Sequence, residues 1–366
     1  MERTELVERL SRAIADETGT IIVAGPSGSG KTTLISQAIE RAGRDTRVVA
    51  CDPLDPAVPY GPIKTLFASI ATDALGDLSR SPTAVADAIV GEQAWTVLVV
   101  EDVQWIDEAS ARLIPVLADR IAAAPGCMVL SIDTAEDPEV LDIDSTAVAL
   151  RLDVPPLDID EVSQVIPAGL DPHGVLESTG GLALLVAEVA EEGSATFDHR
   201  SVVLGRLDRL TLSTRDIVET VAVSPTGSSR SLLDRLHPGW RTNLAPATEP
   251  GLVTMNSDPV RISHEMIRRV LVGDLTGMRR RFLHQRILEH LDESSDPAVV
   301  AAHADGAGAI ETLIEAGWRA ALEAERAGSH AEAVGQLERL LHHEYSLEPA
   351  RRSEVRRALE RNRRGR

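Results

Sequence analysis

The stretch "TIIVAGPSGSGKTTL", residues 20–34, constrains this chain more than any other. Four apolar residues run into Gly25, and Gly25-Pro26-Ser27-Gly28-Ser29-Gly30-Lys31-Thr32 meets the spacing G-x-x-x-x-G-K-[ST] at every position. A short continuous apolar run reads as a strand buried on both faces. Beyond the loop, "KTTLISQAIERA" carries helical apolar spacing to about Ala42. The glycines allow backbone angles that turn successive N–H groups inward at a helix N-terminus, which makes an anion nest. Lys31 then reaches phosphate oxygens, and the Thr32 hydroxyl ligates a divalent cation, with Thr33 next to it in the first helical turn.

The same alternation continues for about 150 residues. "RVVACD" (47–52), "TVLVVED" (96–102) and "GCMVLSID" (126–133) read as further buried strands. "TELVERLSRAIADETG" and "SARLIPVLADRIAAA" read as helices with one apolar face. Strand and helix in alternation predict a doubly wound parallel sheet, an α/β P-loop NTPase fold with helices on both faces, over residues 1–150. Strands then become rare. "DIDEVSQVI" and "GLALLVAEVAEEG" predict a small helical lid over 151–198. Two helices and the hairpin of Leu252–Met255 with Val260–Ser263, followed by "HEMIRRVLVGDL", predict a winged-helix-like domain over 199–292. From 293 to 366, two Ala-rich helices meeting at "AGSHAEA" predict the start of a tetratricopeptide-like helical repeat, incomplete at the end of the chain.

A phosphate loop needs a partner acid on a neighbouring strand. "VLVVEDVQWID" places Glu101 and Asp102 at the C-terminal edge of a buried strand, where ligands of open α/β sheets sit. One carboxylate would complete the Mg²⁺ shell and the other would orient an attacking water. Glu101 is assigned to the metal with Thr32, and Asp102 with Lys31 to catalysis, although the two acids could exchange roles. Trp105 and Asp107 read as packing and helix-capping residues, and Cys51 and Asp52 as the end of a strand.

Composition narrows the field. A formal net charge of −20 repels nucleic acid over most of the surface. The exception is "ARRSEVRRALERNRRGR", which reads as a solvated helix face and tail. Lysine occurs only as Lys31 and Lys64. Cys51 and Cys127 read as reduced thiols, and no Cys/His cluster has zinc spacing. With no apolar run long enough to cross a bilayer and no signal-peptide pattern at the start, the expected location is the cytoplasm.

"VLVVEDVQWIDEAS" resembles the "EDLHWAD" block of STAND-class AAA-like signalling ATPases, and more narrowly the LuxR-type large ATP-binding transcriptional regulators (MalT-like). The blocks "RTELVERL", "STGGLALLVAEV", "LDRLTLSTRDIVETVAVS", "GLVTMNSDPVRISHEMIRRVL" and "EAGWRAALEAERAGSHAEAVGQLERLL" follow in that family's order. The resemblance implies bound ATP or ADP with Mg²⁺. It also implies a small-molecule or protein inducer, self-association on activation, and His264 as a winged-helix histidine that senses the nucleotide. Arg3 is what remains of the family's Gly-Arg motif, with Glu2 in place of Gly. Two further departures bear on turnover. Thr134-Ala135-Glu136 puts an acid where the family has an arginine near the γ-phosphate, and Ala183 replaces the proline that packs on adenine. An acid there opposes stabilisation of developing negative charge, so slow hydrolysis is expected.

The reading is an ATP-binding regulatory switch, controlling transcription directly or through a partner. No DNA-reading helix-turn-helix is visible in this chain. The alternatives are a P-loop kinase acting on a small metabolite and a DNA-remodelling ATPase. The first would want arginines in its lid, where residues 151–200 carry only Arg151 and Arg200. The second conflicts with the acidic surface.

Overall fold

Apolar runs that alternate with amphipathic helices place a parallel sheet at the centre of the first part of the chain. The structure is a computed structural model, and it describes residues 3–16, 19–51, 59–67, 82–91, 96–123, 126–134, 148–193, 199–224, 227–248, 251–255, 258–292 and 294–364. The chain divides into two units, with the division at residues 199 and 200.

The first unit runs α1 (Arg3–Asp16), β1 (Gly19–Ala24), α2 (Lys31–Ala42), β2 (Thr46–Ala50), α3 (Gly61–Phe67), α4 (Pro82–Gly91), β3 (Val97–Glu101), α5 (Glu108–Ala123), β4 (Cys127–Ile132) and β5 (Val148–Asp153). Among the described residues these strands form a five-stranded sheet in the order β2-β3-β4-β1-β5. All four pairings are parallel, with Ile21 opposite Val129, and Val99 opposite both Val48 and Val129. Parallel strands buried on both faces explain the unbroken apolar runs. Ile21, Val23, Val97, Val99, Cys127 and Val129 pack with Leu6, Leu10, Ile14, Leu34 and Ile35 of α1 and α2. The alternate residues Leu98, Val100, Met128 and Leu130 are fully buried too, on the face that α5 covers.

β5 lies outside the sequence expectation and crosses the boundary placed at residue 150. "VALRLD" mixes Arg151 and Asp153 with apolar residues because it is the edge strand beside β1, exposed at every other position. The sheet therefore ends at Asp153. The expected lid follows as α6 (Ile159–Val165), α7 (Pro172–Thr179) and α8 (Ala183–Glu192). α6 starts on a capping box made by Asp158 and Glu161, and α7 on Asp171 followed by Pro172. Val162, Val175, Val186 and Val189 are their shared core.

α9 (His199–Asp208) spans the division between the units. The second unit continues with α10 (Leu212–Val223), α11 (Arg230–Leu236), α12 (Trp240–Leu244), β6 (Val253–Thr254), β7 (Arg261–Ile262), α13 (Glu265–Asp274) and α14 (Gly277–Leu288). Then come α15 (Pro297–Ala307), α16 (Ile310–Arg326), α17 (His330–His342) and α18 (Pro349–Arg364). β6 and β7 form the expected antiparallel hairpin, much shorter than its apolar residues suggested. Trp240, 1% exposed, centres a core with Ile217, Val221, Leu233, Leu252 and Leu271, and truncating it to Ala would cost about 3–5 kcal/mol. Asp216 on α10 accepts from Arg279 at 2.5 Å and from Arg286 at 2.9 Å, which ties α10 to α14.

Successive helices from α14 to α18 pack on one another, as stacked hairpins do. Leu313, Val334, Leu337, Leu340 and Val355 form their core. The arginine-rich segment becomes α18. There Arg356, Arg361 and Arg363 reach Glu344, Glu325 and Glu338, so much of its charge is spent on neighbouring acids.

Candidate phosphate-binding site

The loop between β1 and α2 is held from three sides. The Gly25 N–H donates to the Ile132 carbonyl (3.1 Å), and the Val154 N–H donates to the Ala24 carbonyl (2.6 Å). A Cβ at Gly25 would strike the Val154 carbonyl oxygen, so the first glycine is set by close approach of the chain that follows β5. Gly28 and Gly30 have φ of 79° and 93°, the left-handed region that lets the loop curl round. Ser29 is fully buried inside that curl, with its hydroxyl unpartnered. An unanswered buried hydroxyl costs free energy unless a ligand oxygen meets it.

Lys31 opens α2 and is 6% exposed. Its Nζ donates to the Gly25 carbonyl at 2.8 Å and the Pro26 carbonyl at 3.2 Å. Burial lowers its pKa, while attraction to Asp102, Asp133 and Glu101 opposes the shift. These three acids set a negative field at the lysine end of the loop. Thr32 and Thr33 are exposed at the first turn of α2.

Glu101 ends β3, opposite Ala50, with the Thr32 side chain close enough to favour its charged form. Its pKa is raised to about 7, first by burial and then by Asp102, against the influence of Thr32 and Lys31. The two residues assigned to the metal from sequence are thus brought together. Asp102 takes a left-handed conformation (φ 56°, ψ 47°) that aspartate adopts more readily than most residues. Its N–H donates to Ser131 Oγ at 2.9 Å, and its Oδ1 accepts from Gln104 Nε2 at 3.3 Å. Asp107 accepts from the N–H groups of Ser110 and Tyr60 (2.9 and 2.8 Å), the capping role expected of it.

The lid reaches the loop through its main chain. The Leu184 N–H donates to the Gly28 carbonyl at 3.0 Å. Ala183 comes within 3.5 Å of where a Cβ on Gly30 would lie. The position read as a lost adenine-packing proline is therefore at the loop.

Other expected residues lie elsewhere. Arg3 donates to the Pro155 carbonyl at 2.5 Å and lies 3.9 Å from Glu161, joining α1 to the chain after β5. His264, in the second unit, is the N-cap of α13, where its Nδ1 accepts the Met266 N–H at 3.2 Å. Thr134 is exposed after β4; Glu136, like Asp52 and Glu2, lies outside the described residues. Sequence reasoning missed Gln104, Ser131 and Asp133. All three stand at the C-terminal edge of β3 and β4, and that placement was the one available signal.

The geometry fits a Mg²⁺-bound nucleotide phosphate: a glycine cradle, an unanswered buried hydroxyl, a buried lysine and a Thr32–Glu101 pair flanked by Asp102. Among the described residues, no helix is long and apolar enough to cross a membrane.

Residues 1–130 match the family model described as the AAA ATPase domain. No curated protein matches. A STAND protein (signal transduction ATPase with numerous domains) with a tetratricopeptide repeat sensor, from Pyrococcus horikoshii, aligns with a TM-score of 0.57 at 15% identity. The alignment covers 95% of this chain and 59% of that one, so this chain spans well under two thirds of its length. A structure of katanin self-assembly aligns with a TM-score of 0.33 at 15% identity, over 54% of this chain and 71% of that one. The first 130 residues are thus similar in sequence to AAA ATPase domains, and the chain is similar in fold to a STAND ATPase with a helical-repeat sensor.

Proposed function

We propose that this chain is an ATP-binding regulatory switch with slow hydrolysis. The observation that carries it is the meeting of Lys31 and Thr32 with Glu101 and Asp102 at one edge of the sheet. The loop N–H groups of Gly28 to Thr32 and the Lys31 ammonium would hold the phosphates. Thr32 and Glu101 would hold Mg²⁺, which supplies charge neutralisation at the phosphates when bound. Asp102 would orient the attacking water. Burial raises the cost of an ionised Glu101 and so favours a state in which a cation answers it.

The finer reading rests on resemblance. As a LuxR-type regulator, or a form acting through a partner, the chain would answer an inducer, self-associate and control transcription. Its parts would be the nucleotide-binding domain, the lid, the winged-helix-like domain and the repeat. Arg3 would support the nucleotide-binding side, and His264 would sense ADP against ATP. The experiment is to identify and count the nucleotide that co-purifies with the full chain. Tightly retained ADP, exchanged slowly for ATP, supports the switch. An empty site with rapid turnover, or phosphoryl transfer to a metabolite, refutes it.

A further inference from the structure

Gln104 is tied to two strand ends at once. It lies in the 3₁₀ turn Val103–Trp105 that directly follows β3. Its Nε2 donates to Asp102 Oδ1 at 3.3 Å, and its Oε1 accepts the Asp133 N–H at 3.0 Å. The amide has only one orientation that serves both partners. A backbone N–H can be answered only by the oxygen, which turns the NH₂ toward the carboxylate.

Asp102 is thereby fixed twice: its main chain by Ser131 Oγ on β4, its carboxylate by Gln104. A staple between the ends of β3 and β4 would need only the Asp133 and Ser131 bonds. The additional bond to a partly exposed carboxylate, one of three acids around Lys31, adds nothing that solvent could not supply to the fold. It does set the direction in which that carboxylate presents its free lone pairs.

We propose that Gln104 is a positioning residue for ATP hydrolysis, holding the Asp102 carboxylate in the orientation that receives the attacking water. The inference rests on the role given to Asp102 in the proposed function. In that step the water oxygen forms a bond to the terminal phosphorus. The bond from that phosphorus to the bridging oxygen of ADP breaks, and its electron pair leaves with ADP. The water proton passes through Asp102 to the released phosphate.

The test uses the full chain, wild type, Gln104→Met and Gln104→Glu, with ATP. Binding is titrated directly, and hydrolysis is read as single-turnover release of labelled phosphate. Gln104→Met loses both bonds at nearly constant volume. It should bind ATP within about threefold of wild type and release phosphate about tenfold or more slowly, as small misplacements of an orienting group do. Gln104→Glu keeps an acceptor for the Asp133 N–H but sets a carboxylate against Asp102. It should release phosphate as slowly as Gln104→Met, whereas a residue that only staples β3 to β4 would be rescued by it.

Parallel loss of ATP affinity and rate, or a Gln104→Glu that releases phosphate at the wild-type rate, would show a purely structural role and overturn the proposal. Variants that release phosphate at the wild-type rate overturn it too, as does a wild type that binds ATP and never cleaves it, and both results leave the binding reading standing. A wild type that binds no ATP removes both.

Discussion

Replacing Glu101 by Gln should stabilise the protein in the absence of nucleotide while weakening its grip on magnesium. Burial, with Asp102 adding to it, raises the Glu101 pKa from 4.5 to about 7. That gap favours the neutral form in the folded protein by roughly 3 kcal/mol. The folded state therefore holds a proton that the unfolded chain has released between about pH 4.5 and 7. Stability from this group is full below 4.5, falls as pH rises, and is lost above 7.

Gln cannot ionise and escapes this loss. In thermal melts without nucleotide, Glu101→Gln should match wild type near pH 4.5 and exceed it at pH 8 by up to about 3 kcal/mol. That corresponds to roughly 6–12 °C for a unit of this size. Binding should show the converse. At pH 6 about nine-tenths of Glu101 is protonated, so Mg-nucleotide must displace that proton, and affinity should be roughly tenfold below its alkaline plateau. Calorimetry in buffers of different ionisation enthalpy counts the proton, and subtracting the Glu101→Gln result removes the nucleotide's own share. A variant no more stable at pH 8 than wild type, or an equal proton count in both proteins, would refute the assignment.

Lys31→Ala should leave the protein without retained nucleotide after purification; retention at the wild-type level refutes the phosphate role of Lys31. His264→Ala should cost about 1 kcal/mol through the lost cap on α13, and His264→Asn should restore most of it. If ADP release from His264→Asn matches wild type, the residue caps a helix and senses nothing. His284 and His303 approach Nδ1 to Nδ1 at 3.1 Å, and burial lowers their pKa values to about 4 and about 3. The unfolded chain takes up those protons first, so the second unit should lose stability as pH falls from about 6.5 toward 4. Trp240 fluorescence would follow that loss, and a flat profile over this range would refute it.

Much of this was legible in the sequence because each signal was local. The phosphate loop needs glycines at fixed offsets, and β1, β3 and β4 are continuous apolar runs because both faces of a parallel strand are buried. Glu101 and Asp102 follow such a run directly. β5 was not legible, since an edge strand with alternate exposure reads like a polar turn, and the boundary at 150 fell inside it. Asp133 and Gln104 were missed for a different reason. Their importance is their distance from Lys31 and Asp102, and that distance is made by the pairing of β3 with β4.

The bond from the Leu184 N–H to the Gly28 carbonyl joins backbone to backbone. Side-chain replacement at Leu184 leaves it in place, and only proline there would delete the donor; at Gly28 the left-handed backbone itself disfavours any side chain. Mechanical linkage between the phosphate cradle and helix α8 is thus a property of the chain's course, indifferent to which side chain stands at 184. Any rearrangement of the cradle that carries the Gly28 carbonyl with it must pull on α8 or break that bond.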